Sequence, residues 1–279
     1  MRLGGPVFTP YTQPDAWFAE HKASGYRACY CPLEPNASDA DVQAFCRAAE
    51  YAGVVIAEVG AWSNPLSPDE NERKRALDRC VQALSLAERV GARCCVNISG
   101  SRGTQWDGPH PANLTPETFE MVVETTRAII DAVQPRRTFF TLETMPWMVP
   151  DSPDSYLDLI HAIDRRAFGA HLDPVNLICS PQRYFANGAL IKDAIQKLGP
   201  YLRSCHAKDI LLHTHLTVHL DEVVAGQGGL DYSTFLRELQ RLDPDLPLML
   251  EHLPDASQYA TAAAYIRSVA SREGIPINN

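Results

Sequence analysis

The chain consists of short apolar runs that alternate regularly with longer segments of helical periodicity. The apolar runs are rich in small and β-branched residues, and turn-forming residues bound them, as expected for buried strands. We predict eight strands, over Leu3–Phe8, Tyr26–Cys31, Val54–Val59, Ala92–Ile98, Thr138–Leu142, Ala167–Leu172, Leu202–Cys205 and Pro247–Leu250. Each pair of successive strands is separated by enough residues for one helix, so the strands are expected to be parallel.

Eight strand–helix units in a chain of 279 residues predict an α/β fold, a single (β/α)8 TIM barrel with parallel strands. We expect this barrel to form one domain over residues 1–279. The alternative is a doubly wound open sheet, which often carries a glycine-rich dinucleotide-binding turn after its first strand. The segment Leu3-Gly4-Gly5-Pro6 has the wrong glycine spacing for such a turn. The barrel is therefore the preferred fold.

Helix start signals support this division of the chain. Ser38 precedes two acids and then apolar residues at helical spacing, so it is predicted to cap a helix. Ser67 precedes Pro68 and two acids, and we predict that it caps a long helix. The connections 99–114 and 176–185 are predicted to lack regular structure, and long loops in compact domains are often functional. A polar stretch with no predicted strand follows the seventh strand, and the last helix is predicted from Ser257 to about Ser268.

The composition is typical of a globular protein in water, with 45% hydrophobic and 21% charged residues. No apolar run approaches the roughly 18 residues that predict a membrane span, and no signal-peptide pattern begins the chain. The eight cysteines lack the paired spacing of a structural zinc site and are interpreted as small buried residues. These features predict a cytoplasmic protein with no membrane partner. A net charge of −9 disfavours nucleic acid as a partner.

Four ionisable residues stand at the ends of four successive predicted strands. They are Glu143, Asp173, His206 and Glu251, separated by 30, 33 and 45 residues. Each of these intervals is about the length of one strand–helix unit. Because the carboxyl ends of parallel barrel strands meet at one face, the four side chains are expected to converge there, where barrel active sites lie.

Three carboxylates and one imidazole form a mainly hard donor set. Such a set suits one divalent metal ion with room for substrate oxygens, and we predict Mn²⁺ first, with Mg²⁺, Co²⁺ or Zn²⁺ as alternatives. Without a cation, three carboxylates crowded together would repel one another strongly. For each residue alone, a salt bridge or a capped strand end would be the simpler explanation. The set of four favours the metal.

The sequence around these residues resembles the xylose isomerase-like barrel superfamily, in the branch known as sugar phosphate isomerases/epimerases. The resemblance covers nearly the whole chain. It is most specific at Leu142-Glu143, Leu172-Asp173-Pro174, Cys205-His206-Ala207-Lys208-Asp209, Leu250-Glu251-His252 and the turn Gly226-Gln227-Gly228-Gly229-Leu230-Asp231. It implies an enzyme similar to ketohexose 3-epimerases and inosose dehydratases.

In ketohexose epimerases of this type, matching positions bind one divalent metal ion, and two glutamates exchange protons with the substrate. The resemblance therefore implies that Glu143 and Glu251 are both metal ligands and acid/base catalysts. It implies that Asp173 and His206 are metal ligands. This chain has Asn176 where the epimerases have a histidine three residues after the metal-binding aspartate.

A second departure is Leu212, which stands where those epimerases have a substrate-binding arginine. The His-Ala-Lys-Asp run resembles that of the inosose dehydratases, in which a metal-assisted elimination replaces isomerisation. Lys208 lies two positions after His206. Side chains two positions apart on a strand point to the same face, so Lys208 is expected on the same side of the barrel wall as His206. Lys208 is thus a further catalytic candidate, with a simple ion pair as the alternative.

Further polar and aromatic residues lie near the predicted strand ends. The candidates for substrate binding are Glu58, Trp62, Trp106, Trp147, His171 and Asn176. Aromatic rings at these places could stack on a sugar face or cover the barrel. His171 could instead donate a hydrogen bond to a neighbouring carboxylate. His252 follows Glu251 directly and is predicted to point away from the site.

The favoured function is a metal-dependent sugar isomerase or epimerase that removes a proton next to a chelated carbonyl group, through an enediolate. The first alternative is a metal-dependent lyase or dehydratase that acts on a keto-sugar, an inosose or a 3-keto-glycoside. A distant alternative is a DNA-repair enzyme similar to endonuclease IV. The expected partner is a small carbohydrate substrate, and a homo-oligomer is compatible with the sequence.

Overall fold

The structure is a computed structural model that describes residues 1–8 and 13–277. Ten strands occur in the described chain: β1 Arg2–Gly4, β2 Ala28–Tyr30, β3 Val55–Gly60, β4 Cys94–Asn97, β5 Phe140–Glu143, β6 Phe168–Leu172, β7 Leu202–Ala207, β8 Asp209–Leu212, β9 Leu220–Val223 and β10 Pro247–Leu250. Eight of them close into a parallel barrel in the order β1-β10-β7-β6-β5-β4-β3-β2. The predicted (β/α)8 TIM barrel is confirmed.

The helices surround the barrel and connect its strands. They are α1 Pro14–Ala23, α2 Asp39–Ala52, α3 Glu70–Val90, α4 Pro116–Val133, α5 Pro153–Ile163, α6 Pro181–Phe185, α7 Asn187–Leu198, α8 Tyr232–Leu239 and α9 Ala256–Glu273. Side-chain caps satisfy backbone N–H groups that have no partner within the helix. Ser38 Oγ accepts from Asp41 N at the start of α2, and Thr115 Oγ1 accepts from Thr118 N at the start of α4. None of the described helices is long and apolar enough to cross a membrane.

Small residues inside the barrel determine how tightly its strands close. Ala28, Ala57 and Met249 form a buried cluster of their own. A Cβ atom on Gly4 would meet the carbonyl oxygen of Ala28 and the sulfur of Met249. Gly4 therefore lets Met249 fill the interior without pushing β1 away from β2. Close packing of this kind makes the barrel interior a core and leaves the site to the strand ends.

The helix starting near Ser67 differs from its prediction. The structure starts α3 at Glu70, and Asp69 is the cap that accepts from Glu72 N. Ser67 lies in the preceding turn, where its hydroxyl accepts from Asp69 N and donates to the Glu72 carboxylate. The prediction was wrong because two capping residues lie two positions apart, and local hydrogen bonds select the second.

Three other segments also differ from their predictions. The short helix α6 lies within the connection predicted to be irregular over 176–185. The polar stretch after β7 forms an antiparallel hairpin of β8 and β9. The last helix, α9, continues to Glu273 and ends at Gly274, whose φ of 67° suits a left-handed cap. The first two differences reflect tertiary contacts that apolar periodicity does not encode.

Asp209 holds the base of the β8–β9 hairpin. Its carboxylate is buried and accepts hydrogen bonds from the backbone N–H groups of Ile210, Gly226, Gly228 and Leu230. Gly226 has a φ of 96°, a conformation that favours glycine. One carboxylate thus fixes the glycine-rich turn that leads into α8 and positions the hairpin beside the barrel mouth.

Candidate active site

The four ionisable strand-end residues lie together at the carboxyl ends of neighbouring barrel strands. Glu143 ends β5, Asp173 follows β6, His206 lies in β7 and Glu251 follows β10. Each offers one ligand atom, and these atoms all lie within 4.8 Å of one another. We name these four residues the carboxylate–histidine cluster. Such a spacing is compatible with one cation placed between the four side chains.

The imidazole of His206 directs one nitrogen toward the carboxylates. Its Nδ1 lies 3.0 Å from Glu143 Oε1, 2.8 Å from Glu251 Oε1 and 3.9 Å from Asp173 Oδ2. Burial lowers the pKa of His206, but the surrounding carboxylates outweigh burial and raise this pKa well above its usual value. A cation bound by the cluster would replace the proton on Nδ1.

Behind His206 lies a second buried network. Glu58 Oε2 is 3.4 Å from His206 Nε2, and Glu58 Oε1 is 3.0 Å from His171 Nε2. Ser204 Oγ also donates to Glu58 Oε1. Burial raises the pKa of Glu58, but the two histidines outweigh burial and leave this pKa far below its usual range. Glu58 is therefore a carboxylate that accepts from three donors and orients the His206 ring.

Lys208 brings a buried ammonium group to the cluster. Its Nζ lies 2.8 Å from Asp173 Oδ2, 3.7 Å from Glu143 Oε1 and in contact with Glu251 Oε1. Burial lowers the pKa of Lys208, but Asp173 and the two glutamates outweigh it and keep this pKa well above its usual value. The Tyr232 hydroxyl donates to the Lys208 carbonyl over 2.7 Å and holds the backbone at this point.

The cluster fits a divalent cation by its charge and by its unsatisfied oxygens. Asp173 Oδ2 and Glu251 Oε1 are buried and accept no hydrogen bond of regular geometry, although Lys208 Nζ lies beside both. The carboxylates of Glu143, Asp173 and Glu251 lie around the Lys208 ammonium, and the buried carboxylate of Glu58 lies behind His206. A divalent cation would offset the excess negative charge and bind the unsatisfied oxygens.

The three carboxyl groups of the cluster differ in their affinity for a proton. Burial raises the pKa of Glu143 above its usual value, and the neighbouring Glu251 adds to this effect. Burial also acts to raise the pKa of Asp173, but Lys208 outweighs it and lowers this pKa. For Glu251, His206 and Lys208 outweigh burial, and the pKa falls well below its usual range. Glu143 is thus the carboxylate of the three that accepts a proton most readily.

A cavity of about 490 Å³ opens above the cluster. We name it the reaction cavity. Three of the substrate-binding candidates line it, namely Trp62, Trp106 and Asn176. Asn176 Nδ2 donates to Glu143 Oε1 over 3.1 Å, so this amide holds the carboxylate from the loop after β6. The other lining residues include Tyr30, Met145 and Tyr259, which give the cavity aromatic and apolar walls.

Three candidates do not line the reaction cavity. Glu58 and His171 are buried behind His206, so they contact that ring and each other, not a molecule in the cavity. Trp147 lies outside the lining and donates from its indole N–H to the carbonyl oxygen of Asp107 over 2.7 Å. The hypothesis that these three bind substrate directly is therefore not supported by their positions. The two buried residues act through His206.

Sequence patterns missed two charged residues at the rim. His252 has a φ of 58°, which turns it toward the cavity against the predicted outward direction. Its Nδ1 lies 3.3 Å from Glu222 Oε2, and Glu222 also lies 3.7 Å from Lys208 Nζ. Glu222 belongs to β9, and the hairpin carries it to the barrel mouth. A strand prediction over 209–223 would have been needed to find it.

Tyr30 was also missed, although a signal was present because it stands at the end of the second predicted strand. Its hydroxyl donates to the carbonyl oxygen of Leu250 over 3.1 Å, which fixes the ring beside the cluster. Burial raises the pKa of this phenol well above its usual value, so it remains a neutral donor. Tyr30 thus forms one wall of the reaction cavity.

Several solved structures share the fold of this chain. D-Psicose 3-epimerase from Clostridium cellulolyticum H10 has a TM-score of 0.69 at 15% identity, with 99% of this chain and 100% of that chain covered. The probable 3-DHS dehydratase AsbF from Bacillus anthracis has a TM-score of 0.70 at 15% identity, with coverage of 97% and 98%. Endonuclease IV from Thermus thermophilus has a TM-score of 0.72 at 16% identity, with coverage of 98% and 100%.

These three proteins have different activities at almost equal similarity, so they establish the fold of this chain and not its reaction. No curated protein sequence is significantly similar to the chain. The sequence profile described as "Xylose isomerase-like TIM barrel" matches residues 18–269. The resemblance found in the sequence is thereby confirmed. The chain belongs to the xylose isomerase-like TIM barrel family.

Proposed function

We propose that the protein is a divalent-metal-dependent sugar isomerase or epimerase. The observation that carries this proposal is the convergence of Glu143, Asp173, His206 and Glu251 within 4.8 Å at the floor of a cavity. Mn²⁺ is the preferred ion for this mainly oxygen donor set, with Mg²⁺, Co²⁺ or Zn²⁺ as alternatives. When bound, the ion would polarise the substrate carbonyl and stabilise the enediolate formed on proton loss.

The two glutamates are the proposed proton carriers. Glu143 lines the cavity, so its carboxylate can take a proton from a substrate carbon and hold it. Glu251 Oε1 and Glu143 Oε1 both lie beside His206 Nδ1, and Glu251 also lines the cavity. The Glu251 carboxylate would take a proton from the ammonium group of Lys208, whose Nζ contacts Oε1, and pass this proton to the substrate. Asn176 keeps Glu143 in place through the hydrogen bond to Oε1.

The cavity walls support a carbohydrate as the substrate. Trp62, Trp106 and Tyr30 present aromatic rings that can pack on the C–H faces of a sugar. The carboxylates, the amide of Asn176 and the ammonium of Lys208 offer acceptors and donors to its hydroxyl groups. The net charge of −9 argues against a nucleic-acid substrate.

The second candidate is a metal-dependent lyase, and Lys208 is the observation that favours it. Its ammonium group contacts Asp173 and Glu251 and lines the same cavity. In that position it can donate a proton to an oxygen that leaves from the carbon next to the one deprotonated. The substrate would then be a keto-sugar, an inosose or a 3-keto-glycoside.

Incubation of the Mn²⁺-loaded protein with keto-sugars, inososes and 3-keto-glycosides in D₂O distinguishes the two candidates. An isomerase or epimerase places deuterium on a substrate carbon and conserves the atoms of the substrate otherwise, as NMR and mass spectrometry would show. Release of water or of an aglycone would establish the lyase and refute the isomerase. Absence of both reactions across the panel would refute the proposed chemistry.

A further inference from the structure

A second cavity, of about 870 Å³, adjoins the reaction cavity. We name it the side cavity. It lies between the loops that follow β2 and β3 and one face of α3. Tyr30 and Trp62 line both cavities, so a molecule bound above the cluster could extend past these two rings. Nothing in the proposed reaction requires this additional volume.

The two shared aromatic rings have defined positions. Tyr30 is held by the hydrogen bond from its hydroxyl to the carbonyl oxygen of Leu250. Trp62 packs over the end of β3, where a Cβ atom on Gly60 would collide with the indole Nε1 and Cδ1 atoms. Gly60 is therefore required for the observed place of this ring. The rings form a boundary against which a sugar could pack on either side.

The remaining lining of the side cavity mixes charged, amide and apolar groups. Its polar residues are three acids, two arginines and two amides, namely Glu34, Asn36, Glu58, Arg75, Asp78, Arg79 and Gln82, and the rest of the lining is Cys31, Leu33, Pro35, Val59, Gly60 and Ala83. The four from α3 recur at helical spacing and share one face. Within the described residues, neither arginine lies within salt-bridge distance of a carboxylate; Arg79 Nε donates to the carbonyl oxygen of Ala61 over 3.1 Å. Donors and acceptors are thus available to a ligand.

We propose that the side cavity binds a second sugar unit and that the substrate is a glycoside larger than a monosaccharide. Each sugar hydroxyl is both a donor and an acceptor, so it is satisfied by a mixture of carboxylates, guanidinium groups and amides. A phosphate or another anion would require an excess of positive charge, and a lining with three acids and two arginines does not supply it. An apolar aglycone would leave the charged groups without partners.

The proposal rests on the proposed carbohydrate chemistry, but its test measures binding. Saturation-transfer NMR and calorimetry on the Mg²⁺-loaded protein would compare methyl glucoside with cellobiose, maltose, sucrose and trehalose. At least one disaccharide should bind roughly ten-fold tighter than methyl glucoside, as a few added hydrogen bonds imply. Both of its rings should receive saturation.

Two variants test whether the tighter binding of the disaccharide depends on the side cavity. Gln82→Trp would fill the cavity and Arg75→Ala would remove a donor, and both residues are exposed on α3. We expect each variant to reduce the advantage of the disaccharide and to leave the affinity for methyl glucoside unchanged. Lys74 is exposed on the same helix and does not line the cavity. Lys74→Ala and Lys74→Trp are therefore the matched controls.

Equal affinities for all five sugars, or a disaccharide advantage that Gln82→Trp leaves intact, would overturn the proposal. So would the absence of measurable binding. Disaccharide binding that depends on Gln82, together with no deuterium exchange and no elimination on any tested substrate, would refute the proposed reaction but support the side cavity. Turnover that is equally efficient for single and double sugar units, without selective binding, would support the reaction and refute the side cavity.

Discussion

Replacement of Glu58 tests whether the buried network controls metal binding from behind the cluster. Its carboxylate only accepts hydrogen bonds, so the contact with His206 places a proton on Nε2. Nδ1 is then the nitrogen that faces Glu143 and Glu251 and is able to coordinate a cation. Glu58→Gln keeps the size of the side chain and removes its charge.

The expected effect of Glu58→Gln on stability follows from the three hydrogen-bond donors around the Glu58 carboxylate. The single oxygen of a glutamine amide has room for two of them, and its NH₂ group would face the remaining donor among His206, His171 and Ser204. One buried donor without an acceptor costs about 1–3 kcal/mol of unfolding free energy. Loss of the partner of a metal-binding histidine weakens metal affinity about 10- to 100-fold. That factor corresponds to about 1.4–2.8 kcal/mol.

The assay combines a calorimetric Mn²⁺ titration with urea unfolding and ¹⁵N NMR of the histidine side chains. Glu58→Gln should weaken Mn²⁺ binding by the stated factor and alter the tautomer of His206. Ser204→Ala is the matched control, because it removes one donor to Glu58 and preserves the contact with His206. Unchanged Mn²⁺ affinity in Glu58→Gln, or an equal loss in Ser204→Ala, would refute the role assigned to Glu58.

Three further predictions concern the cluster, the hairpin base and a buried histidine. Glu143→Gln and Glu251→Gln should each lose about 100- to 10,000-fold in turnover even when saturated with Mn²⁺, because a lost base is not restored by metal. Excess Mn²⁺ should partly rescue Asp173→Asn, and near-normal turnover of either glutamine variant at saturation would show that its glutamate is a ligand alone. Asp209→Ala should lower the unfolding free energy by about 3 kcal/mol, because four backbone N–H groups lose their acceptor; a urea midpoint equal to that of wild type would contradict this. Burial lowers the pKa of His21, so below about pH 6.5 the unfolded chain takes up a proton that the folded chain does not, and this contribution to stability falls as the pH falls. Urea midpoints between pH 7.5 and 4.5 should therefore decrease less steeply for His21→Gln, and parallel curves would exclude the effect.

Patterns within single segments were sufficient for most of the fold. Strand and helix positions follow from the period of apolar residues and from local caps such as Ser38. The predicted start of α3 was wrong because Ser67 and Asp69 are both residues that can cap a helix, and only their hydrogen bonds in the structure distinguish them. The β8–β9 hairpin was missed because each strand has only four residues and because Asp209, through hydrogen bonds to a turn 17 to 21 residues further on, holds its base.

The sequence by itself determined the barrel and the four residues of the carboxylate–histidine cluster. Successive parallel strands end at one face of the barrel, so ionisable side chains at the strand ends converge there. Some residues belong to the site because of the direction of a side chain or a contact that is distant in sequence. These residues could be assigned only from the tertiary structure. Glu58 meets His171 and His206 across separations of 113 and 148 residues. The positive φ of His252 reverses the direction that strand alternation predicts. Such contacts depend on how the strands pair and pack around the barrel, which local sequence does not encode.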